Sequence, residues 1–135
     1  MVLRVSPVML RSEPVLSVII KKGDLRMKIK KLCVAIPNLG SIKVGTVMCL
    51  IPALFQTVIE TGCGLHFVMP YGSLIDENRN ESVKAALEVE ASHLLFIDSD
   101  MTFPDNGIMT LASRDKLVIG ANYNRRTFPL TSTVK

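Results

Sequence analysis

Two aspartates separated by one residue follow an apolar run near the middle of this 135-residue chain. Residues 94–97 are all apolar and lead directly into Asp98, Ser99 and Asp100. An apolar run of this length without helical periodicity is typical of a buried strand of a parallel sheet. Carboxylates at the C-terminal end of such a strand lie where open α/β sheets bind ligands. Because two ionised carboxylates this close repel each other, we expect Asp98 and Asp100 to bind a divalent cation.

Other polar residues are expected at the same edge of the sheet. Pro37 and Asn38 follow the first strand, and Arg79 and Asn80 stand at the start of the helix that precedes the acidic strand. The edge would therefore carry two acids, a guanidinium and two amides. This set suits a metal-bridged diphosphate, because Arg79 and the helix N-termini would oppose its negative charge.

The elements that must position these residues alternate between strand and helix. From residue 31 onward the pattern predicts strands at 32–36, 65–69, 93–98 and 117–119, with helices at 41–61, 78–90 and 104–112. Ser41 is expected to cap the first helix and Gly62 to end it, with Pro52 kinking or dividing it. The order predicts one α/β domain with a mainly parallel sheet flanked by helices.

The second helix is predicted from a capping box and from an apolar face. Asn78 and Glu81 have the spacing of the capping box. Val83, Ala86 and Leu87 share one face of the helix, which we expect to pack inward.

The positive charge is concentrated at the N-terminus. Residues 1–31 hold eight basic and two acidic residues, which gives a net charge of +6. Residues 32–135 hold eight basic and ten acidic residues, which gives a net charge of −2. No basic face is therefore predicted on the domain, and nucleic acid is not an expected partner.

Residues 1–26 show no steady period, and Met27 is a second possible start. We expect residues 1–26 to be a poorly structured basic leader or translated upstream sequence, and residues 27–135 to form the domain.

Membrane insertion and disulfide bonding are both unexpected. Pro52, Gln56 and Glu60 interrupt the apolar stretch, so no uninterrupted span near 18 residues remains and no membrane span is predicted. The three cysteines form no Cys-x-x-Cys motif, and their odd number suits free thiols in a reducing compartment. We therefore expect a cytoplasmic protein.

The acidic strand resembles the Asp-x-Asp motif of inverting glycosyltransferases of the family 2 type, which have the GT-A fold. Residues 94–104 are similar to the strand and motif, and residues 34–38 to the first nucleotide-binding strand. Residues 78–80 resemble the Arg-Asn pair at the start of the helix before the motif, and residues 115–123 the strand after it. The resemblance covers residues 30–128 and implies a Rossmann-like nucleotide-binding half.

The resemblance also implies ligands and roles. Asp100 would ligate Mn²⁺ or Mg²⁺, which grips the diphosphate of a nucleotide-diphosphate-sugar and stabilises the leaving group as a Lewis acid. Asp98 would contact the ribose or a metal-bound water. Pro37 and Asn38 would line the nucleotide pocket. Arg79 and Asn80 would lie near the base or the donor sugar.

The chain departs from the family pattern in its length. Only 35 residues follow Asp100, whereas the family's general base and acceptor-binding half come later. We therefore expect the N-terminal, donor-binding half of a hexosyltransferase-type enzyme, truncated at the C-terminus, with catalytic residues and acceptor unassigned. The sheet edge that the absent half would cover is a possible site of self-association.

Two other functions remain open. The chain could be a truncated or degenerate glycosyltransferase-like protein that binds nucleotide without turnover. Alternatively, residues 98–102 also fit the Asp-x-Asp-x-Thr motif of haloacid dehalogenase-like phosphatases. In that family Asp98 would be the nucleophile and Asp100 the acid/base.

Overall fold

The structure, a computed structural model, describes residues 1–4 and 29–122. These residues form five strands and three helices. In chain order they are β1 (Val2–Arg4), β2 (Lys31–Ala35), α1 (Val44–Thr61), β3 (Gly64–Val68), α2 (Ile75–Glu88), β4 (His93–Phe96), α3 (Gly107–Ala112) and β5 (Val118–Ile119).

The strands form one sheet in the order β3-β2-β4-β1-β5. Strands β3, β2 and β4 are parallel, with Leu32 of β2 opposite Leu65 on one side and His93 on the other. This arrangement confirms the predicted α/β class and the parallel sheet flanked by helices. It also places the residues that follow β2, β3 and β4 at one edge of the sheet.

Strand β1 corrects the expectation for the first residues of the chain. Val2–Arg4 lie antiparallel between β4 and β5, with Val2 opposite Leu95 and Ile119. Val2 is only 4 % exposed, because its side chain joins the core. Three residues are too few to show a periodicity, so the sequence pattern gave no sign of this strand. Residues 5–28 lie outside the described part of the chain, and the origin of the leader stays a prediction.

The helices pack on both faces of the sheet. Residues 32, 34 and 36 belong to the core cluster that also contains residues of α1 and α3, whereas Cys33 and Ala35 belong to the cluster with Ala86 of α2. This alternation follows from the two-residue period of a strand. The sheet is therefore covered by α1 and α3 on one face and by α2 on the other.

Helix α1 ends as predicted but begins differently. Gly62 has a left-handed φ of 68° and donates its N–H to the carbonyl of Val58 at 2.7 Å, which confirms it as the C-terminal stop. The prediction that Ser41 caps the helix is wrong, because Lys43 is the N-cap and makes no side-chain capping bond. The helix is continuous over 18 residues with Pro52 inside it.

Helix α2 begins earlier than predicted and packs through a different face. Its N-cap is Leu74, so Asn78 lies within the helix rather than at its cap. Its buried residues are Asn78, Ser82 and Ala86, whereas Val83 and Leu87 are 36 % and 45 % exposed. Ser82 donates to the carbonyl of Asn78 at 2.8 Å, so the polar side chain is satisfied inside the protein. Ala86 is the one residue of the predicted inward face that is buried.

Helix α1 has the composition of a membrane-crossing helix. Among the described residues it is the one helix that is long and apolar enough to cross a membrane, with a mean hydropathy of 1.5. It also contributes Leu50, Ala53 and Leu54 to the core, although only 28 % of the helix is buried inside the protein. The absence of a membrane span therefore stays a prediction.

Candidate functional site

The Asp98–Asp100 turn begins immediately after the central strand β4. Ile97 is buried and donates its N–H to the carbonyl of Ala35 at 2.9 Å, which ties this point of the chain to the end of β2. Asp98 is exposed and Asp100 is half-buried, and the N–H of Met101 closes the turn on the carbonyl of Asp98 at 3.3 Å. Both acids therefore lie at the carboxyl edge of the parallel strands, where the sequence predicted them.

The start of helix α1 holds this turn in place. The carbonyl of Ser99 accepts the N–H of Lys43 at 2.8 Å and the hydroxyl of Thr46 at 3.1 Å. Thr46 is fully buried. A Cβ at Gly45 would lie 3.2 Å from Cγ2 of Thr102, so helix and loop are in close contact. Sequence reasoning missed this bond, since a threonine in the first turn of a helix does not indicate which distant carbonyl it will meet.

The first residue of the chain lies beside the acidic turn. The Met1 ammonium donates to the carbonyl of Phe96 at 3.0 Å, and the N–H of Phe96 donates back to the carbonyl of Met1 at 2.7 Å. Burial lowers the pKa of the Met1 amino group, the Asp98 carboxylate raises this pKa, and the Arg79 guanidinium lowers it. The charges of Asp98 and Arg79 thus act in opposite directions on the pKa of the same amino group.

Asn38 lies on the same edge, and its side chain shapes the loop after β2. Its Nδ2 donates to the carbonyl of Ile36 at 3.1 Å, and its Oδ1 accepts the N–H of Gly40 at 2.9 Å. Its backbone pairs with Tyr71 in a parallel bridge beyond the ends of β2 and β3. The backbone of Asn38 and of its half-buried neighbour Pro37 therefore forms part of this edge of the sheet.

Asn80 lies in a separate cleft between the β3–α2 loop and the first turns of α2. The cleft has a volume of about 480 Å³ and is lined by Tyr71, Gly72, Ser73, Leu74, Glu77, Asn78, Asn80, Glu81 and Lys84. Asn78 is 6 % exposed and donates Nδ2 to the carbonyl of Gly72 at 2.8 Å, which fixes the loop that forms one wall. The predicted site is therefore divided. Asp98, Asp100, Asn38 and Arg79 do not line this cleft, whereas Asn80 does.

The described residues offer few ligands for a metal ion. Within residues 1–4 and 29–122, no group of three or more His, Cys, Asp or Glu side chains could hold one. The turn at residues 98–100 therefore supplies two carboxylates at most. Mg²⁺ is commonly bound by one or two carboxylates, with the other positions taken by water and substrate phosphates. The donor set thus fits a cation that is completed by a phosphate ligand.

The remaining predicted features give no independent assignment. The end of the segment that resembles the last family strand lies outside the described residues. Cys33 and Cys63 are buried and Cys49 is half-buried, all three as free thiols. Comparison of the chain with protein-family models, with curated proteins and with solved structures finds no match.

Proposed function

We propose that this chain is the donor-binding half of a metal-dependent, inverting glycosyltransferase of the GT-A fold that uses a nucleotide-diphosphate-sugar. One observation carries the proposal. An Asp-x-Asp turn lies at the carboxyl edge of a parallel sheet, and its middle carbonyl, that of Ser99, is held by Lys43 and Thr46 of the α1 start. A turn fixed in this way costs little further ordering when a ligand binds.

The two carboxylates of the turn are the proposed cation ligands. In the proposed complex Asp98 and Asp100 hold Mn²⁺ or Mg²⁺, and the oxygens of the diphosphate complete its ligands. The bound cation would supply Lewis-acid stabilisation of the charge on the nucleoside diphosphate leaving group. Arg79, whose charge acts on the Met1 amino group as that of Asp98 does, would oppose the remaining phosphate charge.

In the proposed complex the cleft at the start of α2 binds the nucleoside. It opens after β3, so it adjoins the same edge of the sheet as the acidic turn. Its lining includes the exposed ring of Tyr71 and the amide of Asn80, groups that can stack on a base or hydrogen-bond to it. We assign the base or ribose to this cleft and the diphosphate to the turn.

Nucleotide binding without turnover is a second candidate, since no described residue is assigned as the general base. An inverting transfer needs a general base that deprotonates the acceptor hydroxyl. Among the described residues no third acid or histidine joins Asp98 and Asp100 in a cluster. The site as described can therefore explain donor binding, while the catalytic base remains unassigned.

Calorimetric titration with nucleotides tests the proposal. UDP and GDP are titrated into the protein with and without Mn²⁺, and uridine and guanosine serve as controls that lack the diphosphate. We expect a binding signal for at least one diphosphate only in the presence of Mn²⁺, and none for the nucleosides. Equal binding with and without metal would refute the site assignment. Hydrolysis of an aryl phosphate that depends on Asp98 would support the phosphatase alternative instead.

A further inference from the structure

One wall of the cleft at the start of α2 is rich in hydrogen-bond acceptors. Glu77 and Glu81 contribute carboxylates to it, and Asn78 contributes an amide oxygen. Asn78 is only 6 % exposed, and its Nδ2 is already bound to the carbonyl of Gly72. Its Oδ1 accepts no hydrogen bond within the described part of the chain, yet it is not sealed from solvent. This largely buried side chain therefore offers the cleft an acceptor that has no partner.

Glu81 is the carboxylate that the helix itself does not explain. Glu77 lies in the first turn of α2, where the helix N-terminus stabilises a negative charge. Glu81 lies beyond that turn and three residues after Asn78, so the two side chains are neighbours on the helix surface. Lys84 follows at the same interval and also lines the cleft. The wall therefore presents two acceptors, at Asn78 and Glu81, followed by one donor at Lys84.

Guanine is the nucleobase whose pairing edge complements this order. Its N2 amino group and N1–H are adjacent donors, and its O6 beside them is an acceptor. Uracil has one donor between two carbonyl oxygens, and adenine and cytosine each have one amino group beside a ring nitrogen that accepts. A carboxylate that faces any of these three bases meets an acceptor, which leaves polar groups unpaired and lowers the affinity.

We propose that the cleft selects guanine, so that the donor is a guanosine-diphosphate-sugar. Glu81 accepts from N1–H and the N2 amino group, Asn78 Oδ1 accepts from the same amino group, and Lys84 donates to O6. This inference rests on the proposed function, because the diphosphate bound at the acidic turn is what brings the base to the cleft.

Titration calorimetry with GDP, IDP and UDP in the presence of Mn²⁺ tests the choice of base. IDP is the matched ligand, because it differs from GDP only in lacking the 2-amino group. We expect GDP to bind about 10-fold or more tightly than IDP or UDP, as bidentate recognition of a base edge does. Equal affinities for GDP and IDP would overturn the proposal.

The variant Glu81→Gln tests the residue. It should lose the preference for GDP over IDP and should bind XDP, which carries an oxygen in place of the 2-amino group, more tightly than GDP. Glu88→Gln is the matched control, because Glu88 is exposed on the same helix and does not line the cleft. It should keep the preference of the parent chain. Because both glutamates are exposed, circular dichroism should show unchanged helix content. A Glu81→Gln variant that still prefers GDP would overturn the proposal.

The outcomes separate this proposal from the proposed function. Binding of GDP and UDP that depends on Mn²⁺ but has equal affinity would overturn the selection of guanine and leave the donor-binding function standing. A chain that binds none of these nucleotides in the presence of Mn²⁺ would overturn both.

Discussion

The buried hydroxyl of Thr46 donates to the backbone carbonyl of Ser99 at 3.1 Å and so connects helix α1 to the acidic turn across 53 residues of sequence. The same carbonyl accepts the N–H of Lys43. The position of Asp98 and Asp100 is therefore set by the start of α1 as well as by strand β4. A ligand site at the turn should be sensitive to substitutions that lie outside the site itself.

Replacing Thr46 with valine should loosen the turn. Thr46→Val keeps the side-chain shape but removes the bond to Ser99, and we expect a loss of about 1 kcal/mol in the free energy of unfolding. Weaker Mn²⁺-dependent nucleotide binding should accompany that loss. Thr57→Val is the matched control, because Thr57 is also fully buried and donates only to Ala53 within the same helix. It should cost similar stability without affecting binding, and equal binding losses would contradict this account.

Deleting residues 1–4 should expose one side of strand β4. The N–H of Phe96 donates to Met1, whereas the N–H of Ile97 donates to Ala35 on the other side of the strand. Hydrogen exchange of the Phe96 amide should therefore accelerate in the truncated chain, while exchange of the Ile97 amide stays slow. The loss of buried Val2 should also lower stability by at least about 1 kcal/mol. Unchanged exchange of the Phe96 amide would contradict the pairing of residues 1–4 with β4.

The amides of Asn78 and Asn80 should differ in their effect on stability. Asn78→Ala removes a buried bond to the carbonyl of Gly72 and should cost about 1–2 kcal/mol of stability. Asn80→Ala changes an exposed residue of the cleft and should leave stability within about 0.5 kcal/mol. Nucleotide affinity should fall in the Asn80 variant. Chemical denaturation and titration calorimetry on both variants check the distinction, which fails if Asn80→Ala binds nucleotide like the parent chain.

The thiol of Cys33 should make the fold sensitive to alkaline pH. Burial raises the pKa of Cys33 above its ordinary value of 9.0. Above about pH 9 the unfolded chain therefore loses this proton first, and stability falls as pH rises towards the folded pKa. Urea midpoints measured from neutral to alkaline pH should decline less steeply for Cys33→Ala. Identical slopes would show that the buried thiol does not contribute.

The sequence predicted the alternation of elements well because that signal is local. The parallel strands were found within two residues, and Gly62 was recognised because a left-handed residue at a helix end strongly favours glycine. The α/β class followed from this order. The edge position of Asp98 and Asp100 followed in turn from the parallel direction of the strands.

The errors arose where distant contacts override local preference. Val83 and Leu87 are more apolar than Asn78 and Ser82, yet Asn78 and Ser82 face inward because the backbone of the helix and its loop offers them hydrogen bonds. Likewise Lys43 replaces Ser41 as the start of α1, where its amide meets Ser99. Strand β1 was missed because its partners, β4 and β5, are about 90 and 115 residues away in the chain.

Counting free Mn²⁺ by electron paramagnetic resonance, with and without UDP or GDP, tests the central claim most directly. If the turn and the diphosphate share one cation, nucleotide and Mn²⁺ should raise each other's affinity by about 5- to 150-fold. Protein-free mixtures correct for metal bound by the nucleotide alone. We predict that this coupling is present in the parent chain and disappears in both Asp98→Asn and Asp100→Ala. Coupling that persists in these variants, or that is absent from the parent chain, would contradict the account.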